Sequence, residues 1–209
     1  SGISVFQGKL KDTEISNSSG IGVRVFRNGC PGYAFTESLE ENALKQMFAD
    51  AISHTEFTQI LPIELPKPTL PGCEREHYHP EVENCSFEQM KELCLSIEKL
   101  SLASPEIENV PYLGSGKSVS QIYLMNSNGI SYSRQSSHLS TSVGVVACRN
   151  SVKKLGVYSQ VVFDVKDFDG KKIATKAVEK AKSLLGARSI ASGNYPVIFS
   201  EEISGNVIS

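Results

Sequence analysis

Asn28-Gly29 stands between two runs that alternate aliphatic or aromatic residues with small or polar ones, Ile21 to Phe26 and Tyr33 to Phe35. Both turn residues tolerate the positive φ of a type I′ turn, so the runs close into a hairpin with Ile21, Val23 and Val25 on one face. Pro31 lies inside the returning strand and has no N–H for a ladder, which predicts an edge or a bulge there and a sheet that ends or breaks at this strand. Next come Leu44, Met47, Phe48, Ala51 and Ile52 at helical spacing, with Glu40, Glu41, Lys45, Gln46 and Asp50 on the opposite face. Ser38 with Glu41 three residues on reads as a capping box for this helix. Burial of five such side chains at about 1.5 to 3 kcal/mol each fixes the helix onto the hairpin's aliphatic face. Nothing between Gly20 and Phe57 is chemically reactive, so this unit is a scaffold whose chemistry names no function.

The remaining chain is read in order. Residues 3–16 predict two short strands around Gly8, and a chain that opens in mid-strand suggests a missing upstream element. Residues 58–85 hold Pro62, Pro66, Pro68, Pro71 and Pro80, a density that predicts an extended connection without helix. Ser86 and Gln89 form a second capping box, followed by a stripe of Met90, Leu93, Cys94, Ile97 and Leu100 or Ser101 that ends near Ser104-Pro105. From 106 to 165 the period is two. Five strand-like segments follow, with turns at Asn126–Gly129 and Arg149–Lys154. Asp167 or Asp169 caps a third helix carrying Ile173, Ala177, Val178, Ala181, Leu184 and Leu185, with Gly186 as its C′ residue. Pro196–Phe199 reads as a last short strand, and Glu201-Glu202 as a helix start.

This pattern predicts an α+β fold of antiparallel sheets with three amphipathic helices. Its expected divisions are 1–57, a proline-rich connection at 58–85, 86–199, and the beginning of a further portion at 200–209.

Charge and composition narrow the function classes. Twenty-one Lys and Arg against 23 Asp and Glu leave a net charge of −2, without the basic field that nucleic-acid binding needs. Lys153-Lys154 and Lys171-Lys172 are too small to supply one. No 18-residue span is free of charge, so no membrane helix is predicted, and the first residues lack a basic-then-apolar signal pattern. Five scattered cysteines, Cys30, Cys73, Cys85, Cys94 and Cys148, fit reduced thiols in a cytoplasmic protein.

Four motifs carry residue types that chemistry could use. Cys73, Glu74, Glu76, His77, His79, Glu81 and Cys85 supply the donor types of tetrahedral zinc, yet their spacing matches no ribbon or knuckle, and a polar proline-rich loop collects such residues. His77 and His79 remain the metal candidates, and the expected metal site is otherwise none. Gly114-Ser115-Gly116-Lys117-Ser118 resembles the end of a phosphate loop, but Pro111 occupies the first glycine position and the following residues read as strand. Gly20-Ile21-Gly22 lacks the third glycine of a dinucleotide fingerprint. His138 beside Ser136, Ser137 and Ser140 has no nucleophile elbow and no orienting acid. No catalytic or cofactor-binding residue is therefore expected.

The order and spacing of several motifs resemble the N-terminal region of the TldD and PmbA (TldE) proteins, described as modulators of DNA gyrase. These are the hairpin and helix from Gly22 to Ile52, Asn126-Ser127-Asn128-Gly129, Ser140 to Ala147, Gly156 to Tyr158, and Tyr195 to Phe199. The resemblance implies an N-terminal α+β region followed by a larger β-rich half. In TldD-type members it implies a zinc-binding H-E-x-x-x-H helix just after the strand that Pro196–Phe199 matches. Ser200 to Ser209 contains no histidine. The chain is thus expected to be closer to PmbA/TldE: an inactive fragment of a non-catalytic partner of a TldD-type zinc metallopeptidase acting on unfolded or ribosomally made peptides. The expected partners are a TldD-like subunit or a second copy, and a peptide substrate, with no nucleic acid and no membrane. Zinc is expected in the TldD-type partner and no cofactor in this chain. The alternative expectation is a stand-alone homo-oligomer that binds peptide or protein without any protease.

Overall fold

Three long antiparallel strands dominate the computed structural model, which describes residues 1–68 and 77–208. They are β5 (Ile107–Met125), β6 (Ser131–Arg149) and β7 (Val152–Val162). The segments read separately from sequence merge because Gly114-Ser115-Gly116 continues the ladder opposite Ser140–Ser142, and Pro111 falls where the β5–β6 register shifts. Asn150 and Ser151, at φ 50° and 65°, make the two-residue turn into β7.

Strands β1 (Gly2–Phe6) and β2 (Lys9–Glu14), joined at Gln7-Gly8, extend this sheet to the order β2-β1-β5-β6-β7. Ile3 pairs with Ser115 and Val5 with Leu113. The first strand thus belongs to the sheet built mainly after residue 106. One face carries Val5, Leu113, Leu139, Val143 and Val145, each at most 1% exposed. It is covered by α3 (Phe87–Leu102), which contributes Met90, Cys94 and Ile97, and by α4 (Gly170–Ser183), which contributes Ile173, Ala177 and Ala181. The Ser86 capping box forms as expected, and Asp169 caps α4 by accepting from Lys172 N at 2.9 Å. Gly156 lets α4 approach β7 so closely that an added Cβ would sit 2.3 Å from Ala181 N.

A second, two-stranded sheet pairs β3 (Ile21–Arg27) with β4 (Cys30–Thr36) through a turn with Asn28 at φ 51° and Gly29 at φ 80°. Helix α1 (Glu41–His54) packs on it around Ala34, Met47 and Ala51, with Val23, Val25 and Leu44 at the margin. The sheet ends at this hairpin, as Pro31 predicts.

Several expectations are corrected. Ser38 does not cap α1, since the N-cap is Glu40 and Ser38 Oγ accepts instead from Glu40 N at 3.3 Å. The stripe on α1 is only half covered: Phe48 and Ile52 remain 51% and 44% exposed because a two-stranded sheet is narrower than the stripe. The connection contains a one-turn helix α2 (Pro80–Glu83), which Pro80 fits by standing in the first turn, where its missing N–H costs nothing. Gly186 does not take the left-handed conformation of a C′ residue. Pro196–Phe199 forms no strand, having no ladder partner among the described residues, although α5 (Glu201–Ile208) follows where a helix was expected. No described helix is long and apolar enough to cross a membrane.

Candidate functional site

The chemistry on offer lies in backbone edges more than in reactive side chains. In a hairpin closed by a two-residue turn, the flanking pair exchanges hydrogen bonds and every second residue points its N–H and C=O outward. For β4 the outward residues are Pro31, Tyr33 and Phe35; for β3 they are Gly22, Arg24 and Phe26. The two edges differ. Pro31 has no N–H, its carbonyl accepts from Thr58 Oγ1 at 2.7 Å, and Tyr33 O accepts from His54 Nδ1 at 2.7 Å. Helix α1 and the turn after it therefore take up the Pro31 and Tyr33 carbonyls of the β4 edge. Along β3, Gly22, Arg24 and Phe26 have no backbone partner across that edge among the described residues.

Beside the open edge is an aromatic platform. The rings of Tyr33 and Phe35 stack at 6.4 Å and 25°, and the Arg24 guanidinium lies 5.8 Å from the Tyr33 centroid. Gly22 makes room for this arrangement: an added Cβ would fall 2.9 Å from the Tyr33 hydroxyl. Both rings are more than half exposed. An edge of this kind can hold an extended chain through main-chain bonds while the rings and Arg24 meet alternate side chains. Pro31 and the Asn-Gly turn held the signal in the sequence, because together they set which residues point outward, but which edge α1 engages depends on packing.

The metal candidates that the structure describes do not converge. Cys73, Glu74 and Glu76 lie outside the described residues. His77 O accepts from Ser137 N at 2.7 Å, and the His77 ring stands edge-on to Phe163 at 6.3 Å. His79 N donates to Ser137 Oγ at 2.9 Å, so this segment is tied to β6 beyond the end of β7. Glu81 is exposed on α2, while Cys85 is buried. Burial pushes the Cys85 thiol up, partly offset by the Lys117 ammonium. Among the described residues no three His, Cys, Asp or Glu side chains converge as metal ligands would.

His138 sits edge-on to Phe163 at 6.5 Å, and the neighbouring serine hydroxyls bond elsewhere: Ser136 to Ser120 Oγ at 2.8 Å and Ser140 to Gly116 O at 3.2 Å. Gly114–Ser118 is strand, as expected for residues that are no phosphate loop. Lys117 instead donates to the carbonyls of Glu83 and Cys85, closing the C-terminal end of α2.

Comparison with known proteins agrees with this architecture. The family model of the PmbA/TldA metallopeptidase domain 1 matches residues 1–54, and that of the PmbA/TldA metallopeptidase central domain matches residues 80–185. The chain belongs to the PmbA/TldD family. One relative, the uncharacterized protein MJ0231 of Methanocaldococcus jannaschii, is 24% identical over 88% of this chain and 41% of its own length. Solved structures share the fold. A protein of Thermotoga maritima described as a modulator of a DNA gyrase superposes with a TM-score of 0.76 at 19% identity, over 92% of this chain and 44% of its own. TldE from Thermococcus kodakarensis gives 0.74 at 18% identity, over 87% and 41%. This PmbA/TldD chain thus spans under half the length of the relatives it matches.

Proposed function

We propose that this chain is the N-terminal portion of a PmbA/TldE-like subunit that presents extended peptides to a TldD-type zinc metallopeptidase and is not itself catalytic. Family membership supports the metallopeptidase setting. The single observation that carries the peptide-holding role is the asymmetry of the β3–β4 hairpin: on one edge Pro31 has no N–H and the Pro31 and Tyr33 carbonyls are taken by Thr58 and His54, while the other is open beside Tyr33, Phe35 and Arg24. Strand addition reads main-chain groups, so it suits a protein whose substrates share an unfolded backbone and no common sequence.

Two measurements test this. Peptidase activity of the full-length protein is expected only with a TldD-type partner; chelator-sensitive activity from this subunit alone refutes the non-catalytic assignment. Binding of a fluorescent unfolded peptide is expected to weaken about tenfold or more in Arg24→Pro, which removes an outward N–H, and in Tyr33→Ala with Phe35→Ala. Unchanged binding in both variants removes β3 from the reading. Peptide binding that persists while no metallopeptidase co-purifies favours the stand-alone binding module.

A further inference from the structure

Asn-Gly occurs at Asn28-Gly29 and again at Asn128-Gly129, each time in the turn between two paired strands and each time with the asparagine exposed. The two turns hold their asparagines differently. In the second, Gly129 N donates to Asn126 O at 3.2 Å and the Asn128 carboxamide donates to Leu65 O at 2.8 Å. Asn126 Oδ1 also accepts from Asn128 N and Ile130 N, both at 3.0 Å, so the main chain is tied on either side of Asn128. In the first, neither Asn28 O nor Gly29 N has a partner among the described residues, and the Asn28 carboxamide has none. This is the central peptide of a β-turn, in which the outer residues, here the paired Arg27 and Cys30, carry the hydrogen bonding and the middle plane is left unheld. Gly29 O, on the far side of its Cα, accepts from Leu61 N at 3.0 Å and leaves that plane free.

The backbone at Asn28 is one rotation away from a reactive shape. Its φ is 51° and that of Gly29 is 80°, the signs of a type I′ turn. Turning the unheld 28–29 plane over gives a type II′ turn, in which the first central residue keeps φ at about 60° and takes ψ to about −120°, while the second moves to φ of about −80°. Glycine crosses between those signs without steric cost. That ψ brings the Gly29 nitrogen up to the Asn28 side-chain carbonyl carbon, at the distance of a five-membered ring. We propose that Asn28 is a site of spontaneous modification, at which it cyclises with Gly29 to an imide and reopens as a carboxylate. Gly29 N gives its proton to base and bonds to Asn28 Cγ; the Cγ–Nδ2 bond breaks, and the leaving nitrogen takes a proton from water and departs as ammonia. Water then adds at one of the two imide carbonyls and breaks that carbon's bond to the ring nitrogen, giving aspartate or isoaspartate. The net change is one water taken up, one ammonia lost and one negative charge gained. The isoaspartate form puts an extra main-chain carbon in the turn, which loosens the tie of Gly29 to Leu61 and the end of the β3–β4 ladder. Asn28 is not among the outward-pointing residues of β3, so this chemistry stands or falls apart from the peptide-holding reading.

The test is peptide mapping by mass spectrometry of the full chain aged in mildly alkaline buffer, with folding checked by circular dichroism. The fragment that holds Asn28 is expected to gain one dalton, as a mixture of aspartate and isoaspartate, at least about tenfold faster than the fragment that holds Asn128, whose hydrogen bonds must break first. The rate at Asn28 is expected to rise with pH, because the attacking nitrogen must lose its proton. Unfolding in urea is expected to bring the two rates together, since the dipeptide is the same and the protecting bonds are gone. Asn126→Ala, which removes the side-chain ties of the second turn, is expected to speed Asn128 and to leave Asn28 unchanged. Equal rates at the two sites in the folded chain, or a product at Asn28 that holds aspartate and no isoaspartate, overturns the inference.

Discussion

The hairpin–helix unit and the five-stranded sheet solve the same problem at different scales. In the first, a two-stranded sheet offers α1 a core of Ala34, Met47 and Ala51, and Phe48 and Ile52 are left half-covered. In the second, two helices lie across four strands, and Met90, Cys94, Ile97 and Ile173 are completely enclosed. A two-stranded ribbon is marginal in water unless something packs on it, so the small unit depends almost wholly on one helix contact. The large one distributes its burial over many. The small unit also keeps open main-chain groups and exposed rings, the features that binding uses, where local stability is lowest.

The largest expected effect comes from the two glycines at the helix contacts. An added Cβ at Gly32 would lie 1.9 Å from Ala51 O, and at Gly156 2.3 Å from Ala181 N. Gly156→Val is expected to cost about 3 kcal/mol or more and to lower the main denaturation midpoint. Gly32→Val is expected to strip hydrogen-exchange protection from α1 while β5–β7 stay protected. If both variants unfold the whole chain together, the two regions are one cooperative unit.

Truncations rank next. Ile97→Ala is expected to cost about 2 to 5 kcal/mol globally, and Met47→Ala to act mainly on the exchange of residues 41–54. A global loss for Met47→Ala as large as that for Ile97→Ala would erase the contrast.

Smaller effects come from pH. Burial, and then the neighbouring Glu98 carboxylate, push the Cys94 thiol from 9.0 up to about 12. The folded value is above the unfolded one, so this contribution is intact below about pH 9 and is lost as pH rises toward 12. A chemical-denaturation series across that window is expected to slope downward, and to flatten in Cys94→Ala. Cys94 is also expected to resist alkylation at pH 8 until the large unit opens, whereas the half-buried Cys30 and Cys148 react.

The smallest expected effect is at Glu106. Hydrogen bonds from Lys182 and Arg149 hold its carboxyl below the usual 4.5, tying β5 to β6 and α4. The depressed value makes this contribution present above about pH 4.5 and lost as pH falls below it. Glu106→Gln is expected to give a slight destabilisation at pH 7 that vanishes in acid, read from thermal midpoints at the two pH values.

Local chemistry wrote much of the fold into the chain. The Asn28-Gly29 turn, the Ser86 capping box, the Asp169 cap and the period-two run from 106 all act within a few residues of themselves, and each appears where its pattern places it. Some misreadings are local, and others involve partners far along the chain. Ser38 lost its cap to a shift of two positions in the start of α1. Pro196–Phe199 has strand composition and no strand opposite, and Ile198 stands almost fully exposed. The candidate edge was half legible: Pro31 marks one side as unable to donate, yet the capture of that side's carbonyls by His54 and Thr58 required knowing where α1 lies.

Turn chemistry, caps and hydrophobic period were thus settled residue by residue, and with them the α+β class. Assembly decided the rest: that Ile3 and Val5 join a sheet whose three long strands lie beyond residue 106, and which strand edges are covered. The physical reason is that a strand's N–H and C=O groups are identical in every sequence. Whether they find a neighbour or remain available depends on what packs beside them, and no local pattern encodes that.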